Sequence, residues 1–432
     1  MGLFSERTEL LDTENAFKIG PYIRSIEAQG HKVIKCNLGE PDFPLPEHIR
    51  EEVKRQLDRD NTHYTDPQGI PSLRQAISKQ LSDTRHIKIT PEQVVVFPGA
   101  KPPIGLCQQT YCNVGDEIIY PSPGFPIYES FIRYVGAIPK PLHLNEATGF
   151  TFTGKDLEAL ITPKTKMIFL NFPSNPTGGN ASPAELQEIA DVIERKAPRD
   201  IRIFSDEVYE NILFDGEKHS SIASIPSMTA KTVIVSGASK SYSWTGGRIG
   251  WAAFPTPEEA QVFKNLNINY FSCVPPYNQE GCRFALESPE SPKIIAKMVN
   301  EFQRRRDLVV HGLNKIPGIT CQMPKGAFYV FPNISGIVKN LGIEDALHSL
   351  PPDIQRKTSP STLFQMFLLF VYHVAAMDRK SFGRIGTEKM HFLRLSIATG
   401  YDDLKEALGK IDAAAKDKTG FRTFIEKREH LY

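Results

Sequence analysis

Between residues 94 and 251, short apolar runs alternate with helical patterns, and this alternation constrains the fold more than any other feature of the chain. Residues 94–97, 117–120, 167–170, 201–204 and 232–235 are short, β-branched or aromatic, and bounded by Pro, Gly or Asp. Such runs read as strands. The clearest helix between them starts at Ser182, which can cap it. Pro183 suits the first helical position, and Glu185 completes a capping box. Leu186, Ile189, Ala190 and Ile193 then share one face. Alternation of this kind predicts an α/β fold with a largely parallel sheet and helices on both of its faces.

The chain of 432 residues is long for a single simple core, so two units are expected. The pattern changes after Asn278. A long helical stretch is expected to about Leu313, then short strands near 327–331 and 393–397 separated by helices. The segment 341–361, with Pro351-Pro352 and Ser359-Pro360, reads as a loop-rich surface excursion. The most apolar run, 363–377, is interrupted by Gln365 and His373. It is shorter than the roughly 20 residues of a membrane span and reads as a buried helix.

A formal charge of +1 points to neither nucleic acid nor a membrane as partner. Six scattered cysteines without a C-x-x-C argue against a zinc ribbon or a disulfide scaffold, and no metal site is expected. The charged start lacks the apolar core of a secretory signal, so a cytoplasmic location is expected.

Residues 236–250 (Ser-Gly-Ala-Ser-Lys-Ser-Tyr-Ser-Trp-Thr-Gly-Gly-Arg-Ile-Gly) follow a predicted strand. Lys240 stands among small residues that let a bulky ligand approach the backbone. A lysine in such a pocket can lose its proton and act as a nucleophile. Arg248, eight positions on, can hold a phosphate as a planar fork. Taken alone, the segment could also be a Ser/Gly loop with solvated Lys and Arg.

The segment resembles the lysine signature of the class-I/II aminotransferases, pyridoxal-phosphate (PLP) enzymes of fold type I, with Lys240 and Arg248 in register. Other motifs follow in the same order. They are Asn37-Leu38-Gly39-Glu40-Pro41-Asp42-Phe43, and Tyr64-Thr65-Asp66-Pro67-Gln68-Gly69 with Leu73-Arg74. Next come Asn171-Phe172-Pro173-Ser174-Asn175-Pro176-Thr177-Gly178, Ser205-Asp206-Glu207-Val208-Tyr209 and Arg394-Leu395-Ser396-Ile397-Ala398. The resemblance covers about residues 30–410 and is nearest to the aspartate aminotransferase subgroup.

The resemblance implies a large PLP-binding domain with a mainly parallel seven-stranded sheet and a smaller α+β domain. The expected limits are 51–300 and 301–432, with residues 1–50 packing against the smaller domain. It implies that Lys240 holds the cofactor and moves the substrate proton, and that Asp206 pairs with the pyridine nitrogen. Asp206 lies at a predicted strand end, where open α/β sheets bind ligands. Tyr209 and Asn175 would hydrogen-bond the ring's phenolic oxygen, and Phe125 would stack on the ring. Gly99, Ala100 and Lys101, before a helix opened by Pro102 and Pro103, would meet the phosphate with Ser239 and Arg248. Tyr64 would reach the phosphate of a neighbouring subunit, which implies a homodimer. Arg394, a planar fork suited to a carboxylate, would grip the substrate α-carboxylate, with a contact from Gly39. Without the resemblance, Asp206 could cap a helix, Tyr209 and Phe125 could be core residues, Asn175 a turn residue, and Arg394 part of a surface ion pair.

The expected reaction is ping-pong amino-group transfer between an amino acid and a 2-oxo acid. Lys101 resembles a lysine that meets the distal carboxylate of acidic substrates, which favours aspartate or glutamate. Arg379 and Lys380 are expected to face solvent. Two departures, Thr245-Gly246-Gly247-Arg248 in place of a Thr-Gly-Trp-Arg, and Asp378-Arg379-Lys380-Ser381-Phe382-Gly383 in place of a Pro-Gly-Ser-x-Phe-Gly, lie near the substrate side chain. Alternatives are a neutral or aromatic amino-acid aminotransferase, a PLP lyase or synthase on the same fold, and a PLP-binding regulator without turnover.

Overall fold

The structure is a computed structural model and describes residues 3–12, 14–383 and 390–432. The short strand β1 (Ile34–Lys35) comes first, followed by the strands of a seven-stranded sheet. These are β2 (Val94–Phe97), β3 (Glu117–Ser122), β4 (Ile138–His143), β5 (Thr165–Asn171), β6 (Arg202–Asp206), β7 (Thr232–Gly237) and β8 (Gly250–Ala253). Their spatial order is β2-β8-β7-β6-β5-β3-β4. Pairings from β4 through β7 are parallel, and β8 runs antiparallel to both its neighbours.

All five strands expected from the sequence are present. The two others were hidden for separate reasons. β4 contains Pro139 and Pro141, which a strand tolerates at a sheet edge, and it pairs only with β3. β8 opens on Gly250, packed against the backbone of Gly99 and Ala100, where a side chain has no room.

The helix Pro183–Lys196 forms as its sequence predicts. Ser182 Oγ accepts from Glu185 N–H, and the Glu185 carboxylate accepts from Ser182 N–H at 2.8 Å. Leu186, Ile189, Ala190 and Ile193 are all buried.

Past the sheet, the expected long helix is two, Pro276–Glu287 and Ser291–Leu313. Pro289 lies within the break and Pro292 in the first turn of the second helix, and together they explain it. The expected excursion at 341–361 is corrected to a series of short helices: Ser335–Leu341, Ile343–Ser349, Pro352–Lys357 and the start of Pro360–Tyr372. The prolines taken for loop markers stand at helix starts, where a missing N–H costs nothing. Ser359 caps the last of these helices by accepting from Thr362 N–H.

The apolar run from 363 is a buried helix only to Tyr372. His373, at φ +59°, ends it, and β10 (Val374–Ala375) and β11 (Met377–Asp378) follow. β11 joins β12 (Leu393–Ser396) and β9 (Tyr329–Val330) in an antiparallel sheet, while β10 pairs in parallel with β1. One apolar cluster unites Phe302, Phe328, Phe364, Phe367, Leu395 and Ile411 with Ile34 and Cys36. Among the described residues no helix is long and apolar enough to cross a membrane.

Beneath the end of β6 lies a buried ion network. Arg85 donates to Glu207 at 2.6 Å and also to Glu210. Ser205, His219 and Ser221 also bond the Glu207 carboxylate, at 2.7, 3.0 and 2.5 Å. Burial alone would raise the Glu207 carboxyl, but the Arg85 charge and the hydrogen bonds overcome it and hold the group far below the usual carboxylate range. Removing one partner leaves buried charge uncompensated, at a cost of about 3–5 kcal/mol. Arg85→Ala is therefore expected to lower unfolding free energy by about that amount in urea denaturation. A depressed carboxyl contributes stability above its unfolded pKa of about 4.3 and loses it as pH falls. The wild-type protein should thus lose stability below about pH 4 more steeply than the variant.

Candidate active site

A cavity of about 520 Å³ opens at the carboxyl ends of β5, β6 and β7. Strands in an open α/β sheet place ligands at this end. Gly39, Ala100, Lys101, Phe125, Asn175, Asp206, Tyr209, Ser239, Lys240, Arg248 and Arg394 all line it. Residues more than 350 positions apart in the chain thereby share one wall.

Lys240 lies in a single turn of helix, Ala238–Ser241, directly after β7. Its ammonium donates to the Gly39 carbonyl and lies 5.9 Å from the Tyr209 ring and 5.6 Å from the Phe328 ring. Burial lowers its pKa to about 8, against the pull of the Glu14 and Glu40 carboxylates and with Arg394 and Lys101 pushing the same way. Such an amine loses its proton near neutrality, as a nucleophile or general base requires.

Asp206 ends β6 and is buried. Burial raises its carboxyl to about 6, against the pull of the Tyr128 hydroxyl, which donates to it at 2.5 Å. A buried carboxylate is stabilised most by a cation placed against it. The Asp206 carbonyl accepts from Asn171 Nδ2 at 3.1 Å, and Asn171 Oδ1 accepts from Asn175 N–H at 2.8 Å. Asn175 Oδ1 accepts from Arg394 Nη1 at 3.0 Å. One polar chain thus links Asp206 to Arg394 across the cavity wall.

Arg394 comes from β12, outside the main sheet. It is buried, donates also to the Asn37 carbonyl, and stacks near the rings of Tyr329 and Phe382 at 4.5 and 4.8 Å. Burial lowers its pKa. No carboxylate among the described residues pairs with it, and its Nε is buried without a hydrogen-bond partner. A buried guanidinium held by neutral acceptors alone is a receptor for an anion.

Arg248 donates to the carbonyls of Thr245 and Pro98 at 2.8 and 3.2 Å and stays exposed on the cavity side. Ala100 and Lys101 stand directly before the helix Pro102–Tyr111, whose positive dipole end favours an anion, although its first two residues are prolines without an N–H and Ile104 N–H is donated to the Lys101 carbonyl at 3.1 Å. Gly99 lies just before Ala100. Its N–H is donated to the Phe97 carbonyl at 2.7 Å, and at φ +95° it makes room for the Arg248 guanidinium. Phe125 lies edge-on to Tyr128 at 5.7 Å. Tyr209 OH shares a 2.8 Å hydrogen bond with Tyr329 OH. Tyr64 is 88% exposed and lies outside the cavity of its own chain.

The expectation that Arg379 faces solvent is corrected. It is 1% exposed and donates to the Gly383 carbonyl and Ser122 Oγ, whereas Lys380 is exposed as expected and reaches the Arg356 carbonyl. The helix Pro360–Tyr372 and the loop after β3 close over Arg379, and local sequence carries no trace of either. Tyr128, Asn171, Tyr329 and Glu14 were also missed as site residues. Tyr128 stands three residues after Phe125, and Asn171 opens the motif that contains Asn175. Nothing near Tyr329 or Glu14 marked them.

The family model for aminotransferase class I and II matches residues 31–411. The chain belongs to the class I and II aminotransferases. A probable aspartate/prephenate aminotransferase of Aquifex aeolicus is 36% identical over 91% of this chain and 94% of its own. An aromatic-amino-acid aminotransferase of Thermococcus litoralis is 32% identical over 96% and 98%. The crystal structure of the aspartate aminotransferase of Rhizobium meliloti covers 96% of this chain and 99% of its own, at TM-score 0.85 and 32% identity. The chain is thus a transferase, and the cofactor of its family is pyridoxal 5'-phosphate. The wall fits that group: a buried carboxylate for a ring nitrogen, an amine of lowered pKa for a carbonyl, and a helix start with Arg248 for a phosphate.

In cofactor-free protein, labelling of Lys240 by an amine-directed reagent is expected to follow a midpoint near pH 8. Exposed lysines should titrate near 10.4. Peptide mapping across pH 6–11 checks this. A Lys240 midpoint equal to that of surface lysines would remove the argument from burial.

Proposed function

We propose that this enzyme moves an amino group between aspartate or glutamate and a 2-oxo acid, in a ping-pong cycle. The observation that carries the reading is Arg394, a buried cation without a described counter-ion, in one cavity with Lys240 and Asp206. When bound, pyridoxal phosphate supplies a carbonyl that joins an amine and a ring that accepts the electron pair released at the substrate's Cα. Asp206 holds the ring nitrogen protonated, and Tyr128 keeps Asp206 in place. Tyr209 and Asn175 serve the phenolic oxygen, and Phe125 covers the ring. Ala100, Ser239 and Arg248 hold the phosphate.

Arg394 grips the substrate α-carboxylate and so sets which Cα bond stands across the ring. Lys240, once its amine is free, takes the Cα proton and returns it at the cofactor carbon. Lys101 at the cavity mouth favours a second carboxylate, in line with the aspartate-type names of the relatives.

The proposal includes a homodimer. Tyr64 can serve a phosphate only if it belongs to a second copy, because it lies outside its own chain's cavity. It also includes a large unit over 51–300, a smaller one over 301–432, and an N-terminal segment packed with the latter, supported by the pairing of β1 with β10. Six unpaired cysteines suit the reducing cytoplasm.

Aspartate or glutamate is expected to bleach the visible band of the bound cofactor, and a 2-oxo acid to restore it. Lys240→Ala should lose the band and turnover together. Arg394→Ala should cut kcat/KM for aspartate by about 10- to 150-fold, the worth of hydrogen bonds to a charged group. An elimination product instead of a 2-oxo acid would make the enzyme a lyase. A monomer in sedimentation at assay concentration would remove the dimer.

A further inference from the structure

The N-terminal segment crosses the cavity mouth, and the family match begins only after it, at residue 31. Glu14, Asn15 and Phe17 line the cavity. The segment is fastened on both sides of Glu14. Asp12 N–H donates to Ser130 Oγ at 2.9 Å, and Ser130 Oγ donates to the Asp12 carbonyl at 2.9 Å. Asn15 Nδ2 donates to Ser381 Oγ at 2.9 Å. Between these fastenings the Glu14 carboxylate forms an ion pair with Lys101. The Lys101 ammonium also lies 5.6 Å from the Phe125 ring and 6.0 Å from the Phe17 ring.

The other lining cations already have tasks in the proposed reaction. Arg394 takes the α-carboxylate, Arg248 the phosphate, and Lys240 the cofactor carbonyl. Lys101 alone among them is left to read the far end of a substrate, and in the free enzyme it is paired. With Glu14 in place, the Lys101 pair is neutral and flanked by two phenylalanine rings. Without it, that end carries one positive charge. The pair is half-open to water, with Lys101 45% and Glu14 21% exposed. Such a pair is weak enough for another carboxylate to replace.

We propose that Glu14 sets substrate specificity by occupying, on Lys101, the place that the distal carboxylate of a dicarboxylic substrate would take. Acidic substrates bind by displacing Glu14, and neutral or aromatic ones bind beside an intact pair. Glu14 touches Lys101, and its charge also reaches Lys240 and Arg394, so its specificity effect is read as the difference between ligands with two carboxylates and ligands with one. The inference deepens the proposed amino-group transfer and rests on it.

The test measures KM and kcat for aspartate, alanine and phenylalanine in the holoenzyme. It adds calorimetric binding of succinate and propionate, which share one carboxylate and differ in the second. Glu14→Gln and Glu14→Ala are expected to lower KM for aspartate and the dissociation constant of succinate by about 3- to 10-fold. KM for both neutral substrates and the dissociation constant of propionate should fall by less than about twofold. Adding Lys101→Met to Glu14→Gln should abolish the gain. Asn15→Ala, which loosens the segment without changing its charge, should not reproduce it.

Unchanged or weaker succinate binding in both Glu14 variants overturns the proposal. So does an equal gain for propionate, or the same gain in Asn15→Ala. The two readings fail separately. If wild type ignores aspartate and glutamate while Glu14→Gln gains succinate affinity, the acidic-substrate assignment falls and Glu14 keeps its role. If wild type uses aspartate and the variants bind succinate no better, the reverse holds.

Discussion

Glu207 and Glu210 share the guanidinium of Arg85, and between and beside them in sequence stand Asp206 and Tyr209. The two glutamates turn into the protein while Asp206 and Tyr209 turn into the cavity. The chain can expose a carboxylate and a phenol to a ligand here because its neighbours are clamped on the other side. A buried charge is tolerated only when paired. Arg85 therefore holds the floor beneath the ring-binding groups without touching a ligand itself. Ser236 on the adjacent strand ties Glu210 at 2.7 Å, so the strand that leads to Lys240 is fastened to the same network.

Above that floor, three buried or half-buried charges are left deliberately incomplete. Among the described residues no cation forms an ion pair with Asp206 and no carboxylate pairs with Arg394, while Lys240 donates to a carbonyl beside two rings and feels Glu14 and Glu40 only at longer range. Each has a pKa displaced by burial toward its neutral form. In the proposed reaction a ring nitrogen cation and a substrate carboxylate would complete Asp206 and Arg394, while the neutral Lys240 amine would meet a carbonyl. The chain Asp206–Asn171–Asn175–Arg394 fixes the distance between the ring end and the carboxylate end through hydrogen bonds of 2.8–3.1 Å. Proton transfer at Cα depends on that spacing, because the reacting atoms must stand close and aligned.

Much of this was legible in the residues. The strand pattern predicted the central sheet and the position of Asp206 at a strand end. The small residues around Lys240 signalled a close ligand. The capping box at Ser182 and Glu185 placed its helix to within a residue. The errors share a cause: they concern residues whose surroundings come from distant segments. Pro351-Pro352 and Ser359-Pro360 read as loop when viewed alone, yet each starts a helix because Ile343, Leu350 and Leu363 find an apolar cluster to join. Arg379 looked solvated and is buried.

The sequence by itself determined the class of fold and the family, and it named the residues that line the cavity, because these follow from periodicity and from motifs read along the chain. The tertiary structure decided how those residues are tuned. It set the burial that lowers Lys240 to about 8 and raises Asp206 to about 6, the hydroxyl of Tyr128 on Asp206, and the carboxylate of Glu14 on Lys101. A pKa and an ion pair depend on distance and on exclusion of water. Those quantities exist only once segments far apart in the chain have closed around one cavity.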